Sequence, residues 1–336
     1  MCSATTVRSV CFVALRSQVV VSGRVRLNDL SATDGLQLSS SIYGICRAPA
    51  QNCVLLVDST RSDSRVLRVS LAKKRVDQCL IRVPHTDADV SDVQLLPGGT
   101  HIALALYKGG IKNEYSHIVR LFAESQLIGW SVTHEFCFET TSCSINVFYT
   151  SRLCVSRNLL LCAAPVLSRR LVALKVTRDS KLVQTGAVQF DSAPSDLCAF
   201  TVGNDQLVAI AHADRTVHLW RHVETAAAAR RTFTLEKCSR VSADTTCRCL
   251  ISSAAGLLLL PDYPVNTMRL CRIDGTHLDA PFPLSQLKPP LNLWCACAIG
   301  LNVLLYDRES ESLVTLKTRG SNAKHSVAGS RVAPLV

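Results

Sequence analysis

Two pairs of cysteines are separated by a single residue and are the first candidates for chemistry. The pairs are Cys247 with Cys249 and Cys295 with Cys297. On a β-strand, residues i and i+2 point to the same face, so each pair could offer two thiolates to one metal ion. A zinc site needs two more ligands, and the Cys-x2-Cys spacing that is typical of such sites is absent. Because cysteine is among the most buried residue types, both pairs are interpreted as core thiols.

Three histidines form a second cluster that could bind a metal. His212, His218 and His222 lie within one short stretch of the chain. Histidine alone is a weak metal signal when no cysteine or carboxylate stands at ligand spacing. The cluster is therefore interpreted as one histidine with a structural hydrogen bond and two that face solvent.

Aspartates beside turns are the only candidates for acid–base catalysis. Asp58, Asp63 and Asp214 stand at or next to turn-forming positions. Paired carboxylates can transfer protons, but aspartates at turns usually bond to nearby backbone amides. The sequence has no phosphate-binding loop, serine-nucleophile motif, His-Glu-x2-His motif or dinucleotide fingerprint. We therefore expect no catalytic residues, no metal and no cofactor, and a protein that is not an enzyme.

The elements that would position these residues recur along the chain. The stretch Ala209–Trp220, "AIAHADRTVHLW", predicts a strand, a tight polar turn and a second strand. Similar second strands end at positions 28, 69, 122, 175, 220, 271 and 306. Most are preceded by one or two apolar strands, and a more polar strand completes the unit. Strand-only units repeating every ~40 to 50 residues are typical of a β-propeller blade.

The sequence thus predicts an all-β fold, a β-propeller of four-stranded antiparallel blades. Stacking such sheets around an axis gives each apolar face a partner. We expect seven blades if Val25–Asn28 ends a blade, and six as the alternative. The last interval is short, so either the final blade lacks a strand or N-terminal residues such as Thr6–Val13 close the ring. Residues 1–318 are expected to form this single domain. The Ser-, Gly- and Ala-rich residues 319–336 are expected to be a flexible tail.

One blade resembles the WD40-repeat propeller family. In the stretch Leu207–His222, Asp214 matches the family's turn aspartate and Trp220 matches the tryptophan of its Trp-Asp pair. Arg221 stands where the family has the second aspartate. The resemblance implies that Asp214 belongs to a hydrogen-bonded network that ties its turn to neighbouring strands. By analogy with the family, it also implies a domain that docks other proteins.

Two loops that join inner strands are longer than a tight turn requires. They span Ser59–Arg65 and Lys108–Ser116. Functional residues concentrate on loops of rigid scaffolds, and Tyr and Arg are favoured at interfaces. The alternative is a tolerated surface insertion, since such insertions cost little. The candidate interaction residues are Arg61, Asp63, Lys108, Lys112 and Tyr115.

Charge and composition limit the classes of partner. The 336 residues carry a formal net charge of +11, which favours acidic partners. Aromatic residues are only 5%, and no run reaches five like charges, so a dedicated nucleic-acid groove is not indicated. The first hypothesis is a protein–protein interaction scaffold or adaptor, a subunit of a larger assembly. The alternative is a propeller that binds nucleic acid or anionic lipid through its basic surface.

Cysteine usage indicates the compartment. The 16 cysteines are irregularly spaced and lie mostly inside apolar runs such as Leu159–Cys162. This pattern favours buried, reduced thiols in a cytoplasmic or nuclear protein over a disulfide framework. No stretch of about 18 uncharged apolar residues occurs, so no membrane span is expected.

Overall fold

A computed structural model shows a chain built almost entirely of β-strands. It describes residues 19–32, 38–39, 41–48, 53–109, 115–138, 151–164, 169–202, 204–227, 230–242, 247–253, 256–261, 267–271, 282–283, 293–299 and 302–318. Within these ranges the one helical element is a 3-10 turn at Leu27–Asp29. No helix in the described part of the chain is long and apolar enough to cross a membrane.

The strands are numbered in chain order. They are β1 (Val19–Arg26), β2 (Ser31–Ala32), β3 (Ile42–Arg47), β4 (Cys53–Ser59), β5 (Asp63–Ser70), β6 (Arg75–Pro84), β7 (Asp89–Leu95), β8 (His101–Gly109), β9 (Tyr115–Ser125), β10 (Gly129–Cys137), β11 (Arg152–Ser156), β12 (Leu159–Ala163), β13 (Arg170–Val176), β14 (Leu182–Gln189), β15 (Pro194–Val202), β16 (Asp205–His212), β17 (Thr216–Ala227), β18 (Arg230–Ser242), β19 (Cys247–Ser253), β20 (Gly256–Pro261), β21 (Thr267–Cys271), β22 (Phe282–Pro283), β23 (Leu293–Ile299), β24 (Asn302–Asp307) and β25 (Ser312–Thr318).

These strands pair into sheets that follow the order of the chain. Strands β7–β10, β11–β14, β15–β18 and β19–β22 each form a four-stranded sheet, and β23–β25 form another together with β1. Strands β3–β6 form an antiparallel sheet that carries the short strand β2 as a parallel fifth strand on its outer edge. Each sheet is named below by its innermost strand. The innermost strands contact one another in the order β3, β7, β11, β15, β19, β23 and back to β3, so the sheets form a ring.

The all-β propeller with four-stranded antiparallel blades is confirmed, but the predicted blade count is wrong. The described residues form six sheets, five with four strands and the β3 sheet with a short fifth strand, so the predicted seven blades are not present. The miscount arises at Val25–Asn28, which does not end a blade. Strand β1 instead pairs antiparallel with β25, with Val19 opposite Thr318, and completes the β23 sheet. The predicted closing segment Thr6–Val13 lies outside the described residues, as does the predicted tail.

Burial explains why the middle strands are apolar and the outer ones alternate. All five residues of β12 are buried, because this strand is covered by a neighbouring sheet on both faces. In the outermost strand β10, exposed and half-buried residues alternate. The gap between the β3 and β7 sheets is filled by aliphatic side chains such as Leu55, Val57, Val93 and Leu104. Similar clusters of buried side chains fill the gaps between the β7 and β11 sheets, the β11 and β15 sheets, and the β23 and β3 sheets.

The strand directions define two faces. Within each sheet the strands are counted from the innermost to the outermost and run antiparallel. The connection between the second and third strands therefore lies at the same end as the connection to the next sheet. We call this end the upper face. The connections from first to second and from third to fourth strand emerge at the opposite end, the lower face. Near the upper end, the inner-strand pairings contain β-bulges, for example between Val90 and Asp92 and between Pro194 and Asp196. A bulge redirects the side chain that follows it.

Candidate interaction face

The first predicted loop is a compact turn on the upper face. Strands β4 and β5 extend to Ser59 and from Asp63, so the loop predicted over Ser59–Arg65 shortens to residues 60–62. The Thr60 hydroxyl lies within hydrogen-bond distance of the Asp63 carbonyl (3.0 Å) and carboxylate, and it accepts the Asp63 backbone N–H at 3.1 Å. Arg61 is exposed at the tip of this turn.

Asp63 is held as an oriented anion. Its carboxylate accepts a hydrogen bond from the Arg82 guanidinium at 3.2 Å. The hydroxyl of Thr60 is the largest factor that holds the pKa of Asp63 below its usual range, and Arg82 acts in the same direction. Arg82 itself projects from β6 and is largely exposed. The turn therefore presents an ionised carboxylate that is paired with Arg82, and the same turn carries the exposed Arg61.

A buried ion pair supports this turn from below. Asp58 is fully buried, and Arg65 donates from Nε to the Asp58 carboxylate at 3.1 Å and from Nη2 to the same oxygen. The second Asp58 oxygen accepts the Ser39 backbone N–H at 2.9 Å. The Ser39 hydroxyl lies 2.6 Å from the Ser59 carbonyl. Asp58 thus positions the base of the loop, in keeping with the structural interpretation of the turn aspartates.

The second predicted loop lies at the upper end of the neighbouring β7 sheet. Lys108 is exposed near the end of β8, and Tyr115 opens β9 opposite Gly109. The strands are longer than expected, so the connection covers only 110–114. Lys112 lies in that connection, outside the described residues. The four described residues of this set belong to two adjacent sheets on one face, and the role of the predicted residues in binding stays a prediction.

The connection from β6 to β7 lies between these two loops, and the sequence analysis missed it. His85 Nε2 lies 3.0 Å from the Thr60 carbonyl, and its Nδ1 lies 2.6 Å from the Asp89 carboxylate. Arg120 of β9 reaches Asp87 at 2.6 Å and also contacts Glu135 on the neighbouring strand. The Arg120 hydrogen bond is the largest cause of a lowered pKa at Asp87. The signal in the sequence was the polar run His85–Asp89 between two apolar strands.

These groups define one feature, which we call the upper cluster. Its cations and anions alternate across the junction between the β3 and β7 sheets. Hydrogen bonds to backbone or to one another hold most of the members in place. The upper cluster consists of Arg61, Asp63, Arg82, His85, Asp87, Asp89, Lys108 and Arg120.

The residues that resemble the family motif lie elsewhere, in the β15 sheet. The Asp214 carboxylate accepts the Thr216 backbone N–H at 3.1 Å and the Thr216 hydroxyl at 2.6 Å. The Asp214 N–H donates to the Ser192 hydroxyl at 3.1 Å, which joins the turn to the incoming connection. Trp220 packs in the gap between the β11 and β15 sheets, with its ring 5.3 Å from that of Phe190. Both contacts are structural, as the resemblance implied for Asp214.

The predicted solvent exposure of the histidines is wrong. His212 and His222 are both buried, and His218 is half-buried. His212 Nδ1 lies 3.0 Å from the Ser192 carbonyl, and His222 Nδ1 lies 2.8 Å from the Ser156 hydroxyl. A hydrogen-bond partner from a neighbouring segment is what makes burial tolerable. Among the described residues, no three His, Cys, Asp or Glu side chains are grouped so that they could hold a metal ion.

The ring encloses a central channel lined by the inner strands, with a cavity of about 260 Å³. Three charged residues occupy matching positions in consecutive sheets. Asp92, Arg152 and Asp196 each stand opposite an alanine of the second strand. The Asp92 carboxylate accepts the backbone N–H of Val93 and of Leu153, both at 2.8 Å. Arg152 Nε lies 3.7 Å from Asp196. Burial raises the pKa of Asp92 and Arg152 opposes that shift.

Thiols complete the channel wall. The channel is lined by five cysteines that form no disulfide, namely Cys46, Cys154, Cys198, Cys295 and Cys297. Burial raises the pKa of Cys46 to about 12 and that of Cys297 well above its usual value. A thiol with a raised pKa stays protonated at neutral pH and is a poor nucleophile and metal ligand. The channel charges meanwhile contact backbone amides or one another, an arrangement that joins the inner strands.

Comparisons with known proteins agree with this architecture. No family model matches the chain, and no curated protein is significantly similar in sequence. Among solved structures, the propeller domain of Cps50 (Swd1) from Myceliophteria thermophila superposes with a TM-score of 0.57 at 10% identity, covering 90% of this chain and 100% of that chain. A chain of the mitotic checkpoint complex gives 0.53 at 12% identity, covering 90% and 92%.

The chain folds as a β-propeller. A glucose dehydrogenase also superposes, with a TM-score of 0.58 at 12% identity, covering 89% of this propeller and 100% of that chain. Similar propellers therefore occur in a chain of a protein complex and in a glucose dehydrogenase. At these identities the likeness shows the fold alone, and function has to be argued from the surfaces of this propeller.

Proposed function

We propose that this propeller is a non-enzymatic interaction scaffold or adaptor, a subunit of a larger assembly, and that a partner protein docks on the upper cluster. The proposal includes Lys112 and Tyr115, which the connection 110–114 and the start of β9 would bring to the same junction. It treats residues 1–318 as one propeller. The reduced state of the described thiols supports a cytoplasmic or nuclear location.

The observation that carries this proposal is the ordered, mixed charge of the upper cluster. Arg61, Arg82 and Lys108 are exposed, while Asp63 and Asp87 stand between them at the same junction. Alternating signs suit a protein surface of complementary charge better than a polyanion, which would be repelled by the carboxylates. Because hydrogen bonds hold Asp63 and Asp87 in place, a partner would lose little side-chain entropy on ordering them.

The neighbours in fold add limited support. One similar chain belongs to the mitotic checkpoint complex, an assembly of proteins. On this propeller, burial raises the pKa values of the channel thiols Cys46, Cys154 and Cys297, and the channel carboxylates bond to backbone or to Arg152. These features favour a binding role over catalysis.

The test compares partner capture by three forms of the full chain. Arg61→Glu with Lys108→Glu reverses two exposed charges of the upper cluster. Lys175→Glu with Lys317→Glu is the matched control, since both lysines are exposed and lie on other strands. Each form is used to capture partners from cell extract after nuclease treatment and a high-salt wash, with quantification by mass spectrometry. Proteins retained by the wild type and the control but lost from the upper-cluster variant support the proposal. Equal retention by all three forms contradicts it.

A further inference from the structure

The most exposed apolar side chains of the described residues lie at one hairpin tip on the lower face. Leu127 is 94% exposed and Ile128 is 73% exposed, in the turn that joins β9 to β10. Gly129, with a φ of +72°, supplies the backbone conformation that closes this turn. The turn needs that glycine but does not need two aliphatic residues beside it. The fold therefore does not explain why two exposed aliphatic residues, Leu127 and Ile128, occupy this turn.

A basic turn of the next sheet is linked to this hairpin by hydrogen bonds. The backbone N–H of Glu124 donates to the Thr100 carbonyl at 3.0 Å. The adjacent His101 Nε2 lies 2.9 Å from the hydroxyl of Ser180, which belongs to the connection between β13 and β14. That connection carries Arg178 and Lys181. An aliphatic tip and a cationic turn therefore emerge side by side.

Positive charge dominates the lower connections of the β3, β7 and β11 sheets. Among their described residues, Asp179 is the one acid, and it lies 3.1 Å from Lys181 in an exposed pair. Such an exposed pair stays hydrated and leaves both groups accessible. This face thus differs from the upper cluster, where both signs alternate. The cations of these connections are Lys73, Lys74, Arg157, Arg178 and Lys181.

We propose that this lower face docks on an anionic membrane surface. The Leu127–Ile128 tip inserts into the acyl boundary, while the basic turns contact lipid phosphates. Aliphatic side chains gain free energy in hydrocarbon, and each Lys or Arg near an anionic leaflet adds attraction. Neither signal is strong alone, and stable peripheral binding needs both.

The exposed aliphatic pair favours lipid over nucleic acid. Single-stranded nucleic acids are bound by cationic grooves with aromatic side chains on which bases stack. The lower connections of these three sheets contain no aromatic residue in their described parts. Leucine and isoleucine offer no stacking surface for a base, whereas they match acyl chains. In this proposal, the cations of the lower face contact the phosphates of anionic lipids.

The test is sedimentation of the full chain with vesicles. Vesicles of phosphatidylcholine alone are compared with vesicles that also contain phosphatidylserine. We expect binding only to the anionic vesicles, weakened by salt. Leu127→Ser with Ile128→Ser should weaken binding by about tenfold or more, since each buried aliphatic contributes substantially. Lys73→Gln with Arg178→Gln should weaken it by about fivefold per charge.

Tyr43→Ser is the control, because Tyr43 is also an exposed, largely apolar side chain but lies near the start of β3, at the upper end of its sheet. It should bind as the wild type does. Three results would overturn the proposal: no binding to anionic vesicles, equal binding by the Leu127→Ser and Ile128→Ser variant, or binding of a single-stranded oligonucleotide that depends on Lys73 and Arg178 but not on Leu127. None of these results bears on the upper cluster, so the two proposals fail independently.

Discussion

Protonation of His117 should destabilise the propeller as the pH falls. His117 lies on β9, is buried, and its Nδ1 is 2.7 Å from the Ser151 hydroxyl. Burial disfavours the imidazolium and lowers the pKa of His117 from 6.5 to about 4. Each unit of such a difference between folded and unfolded states corresponds to about 1.4 kcal/mol, so the total effect is roughly 3 kcal/mol.

The direction of this effect follows from the order of the two pKa values. Well above pH 6.5, the imidazole is neutral in both states and stability does not depend on it. As the pH falls below 6.5, the unfolded chain takes up a proton that the folded chain refuses, so unfolding becomes more favourable. The loss accumulates until the pH reaches about 4, where folded His117 also protonates.

The assay is urea unfolding of the wild type and of His117→Gln at a series of pH values. Other groups titrate in the same range, and the difference between the two proteins isolates His117. We expect the wild type to lose roughly 3 kcal/mol more than the variant between neutral pH and about pH 4. A difference that stays constant with pH, or an imidazole that titrates near 6.5 by NMR, would refute the reasoning.

Three further changes test other contacts. Asp58→Ala leaves the buried Arg65 guanidinium without its carboxylate and should cost about 3 to 5 kcal/mol by urea unfolding, and a cost near zero would contradict the buried ion pair. Gly186→Ala places a Cβ 3.2 Å from the Phe233 Cβ, where β14 faces β18, and should lower the unfolding free energy by about 1 kcal/mol. The third test is timed alkylation followed by mass spectrometry. A first group of exposed thiols should be labelled early, and a second group of buried thiols should be labelled only when the protein unfolds. Fast labelling of the second group would contradict the raised pKa values of these thiols. The first group is Cys137 and Cys238, and the second is Cys46, Cys154 and Cys162.

The repeating architecture was predictable because middle strands are buried on both faces. A continuous apolar run such as Leu159–Ala163 is removed from water on both faces only when it lies between two sheets. Each such run in the sequence therefore predicts a middle strand of a blade. The outer strands carry a weaker signal because one face meets solvent. Nothing in Val19–Arg26 itself specifies β25 as its partner, since that pairing depends on closure of the whole ring. This is why the blade count was wrong.

The candidate interaction face was predictable only in part, for a related reason. Arg61 and Asp63 lie in or beside a local turn, and a turn can be predicted from the types of the residues that are adjacent in sequence. The contact of Arg120 with Asp87 joins residues 33 positions apart, on a strand and in a connection of different sheets. Burial of His222 likewise depends on Ser156, which lies in another sheet. Such pairs are created by the packing of sheets and leave no short-range pattern.

The closing strand also constrains the order in which this propeller can form. Strand β1 is synthesised before every other described strand, yet its partner β25 is the last of the described strands to be made. During synthesis the β1 segment remains unpaired while the intervening sheets assemble. Its backbone N–H and C=O groups are then available to pair with other extended chains. Joining residues so distant in sequence is entropically slow. Completion of the ring is therefore expected to be the late, rate-limiting event of folding, and the interval before it is when this chain is most exposed to misassembly.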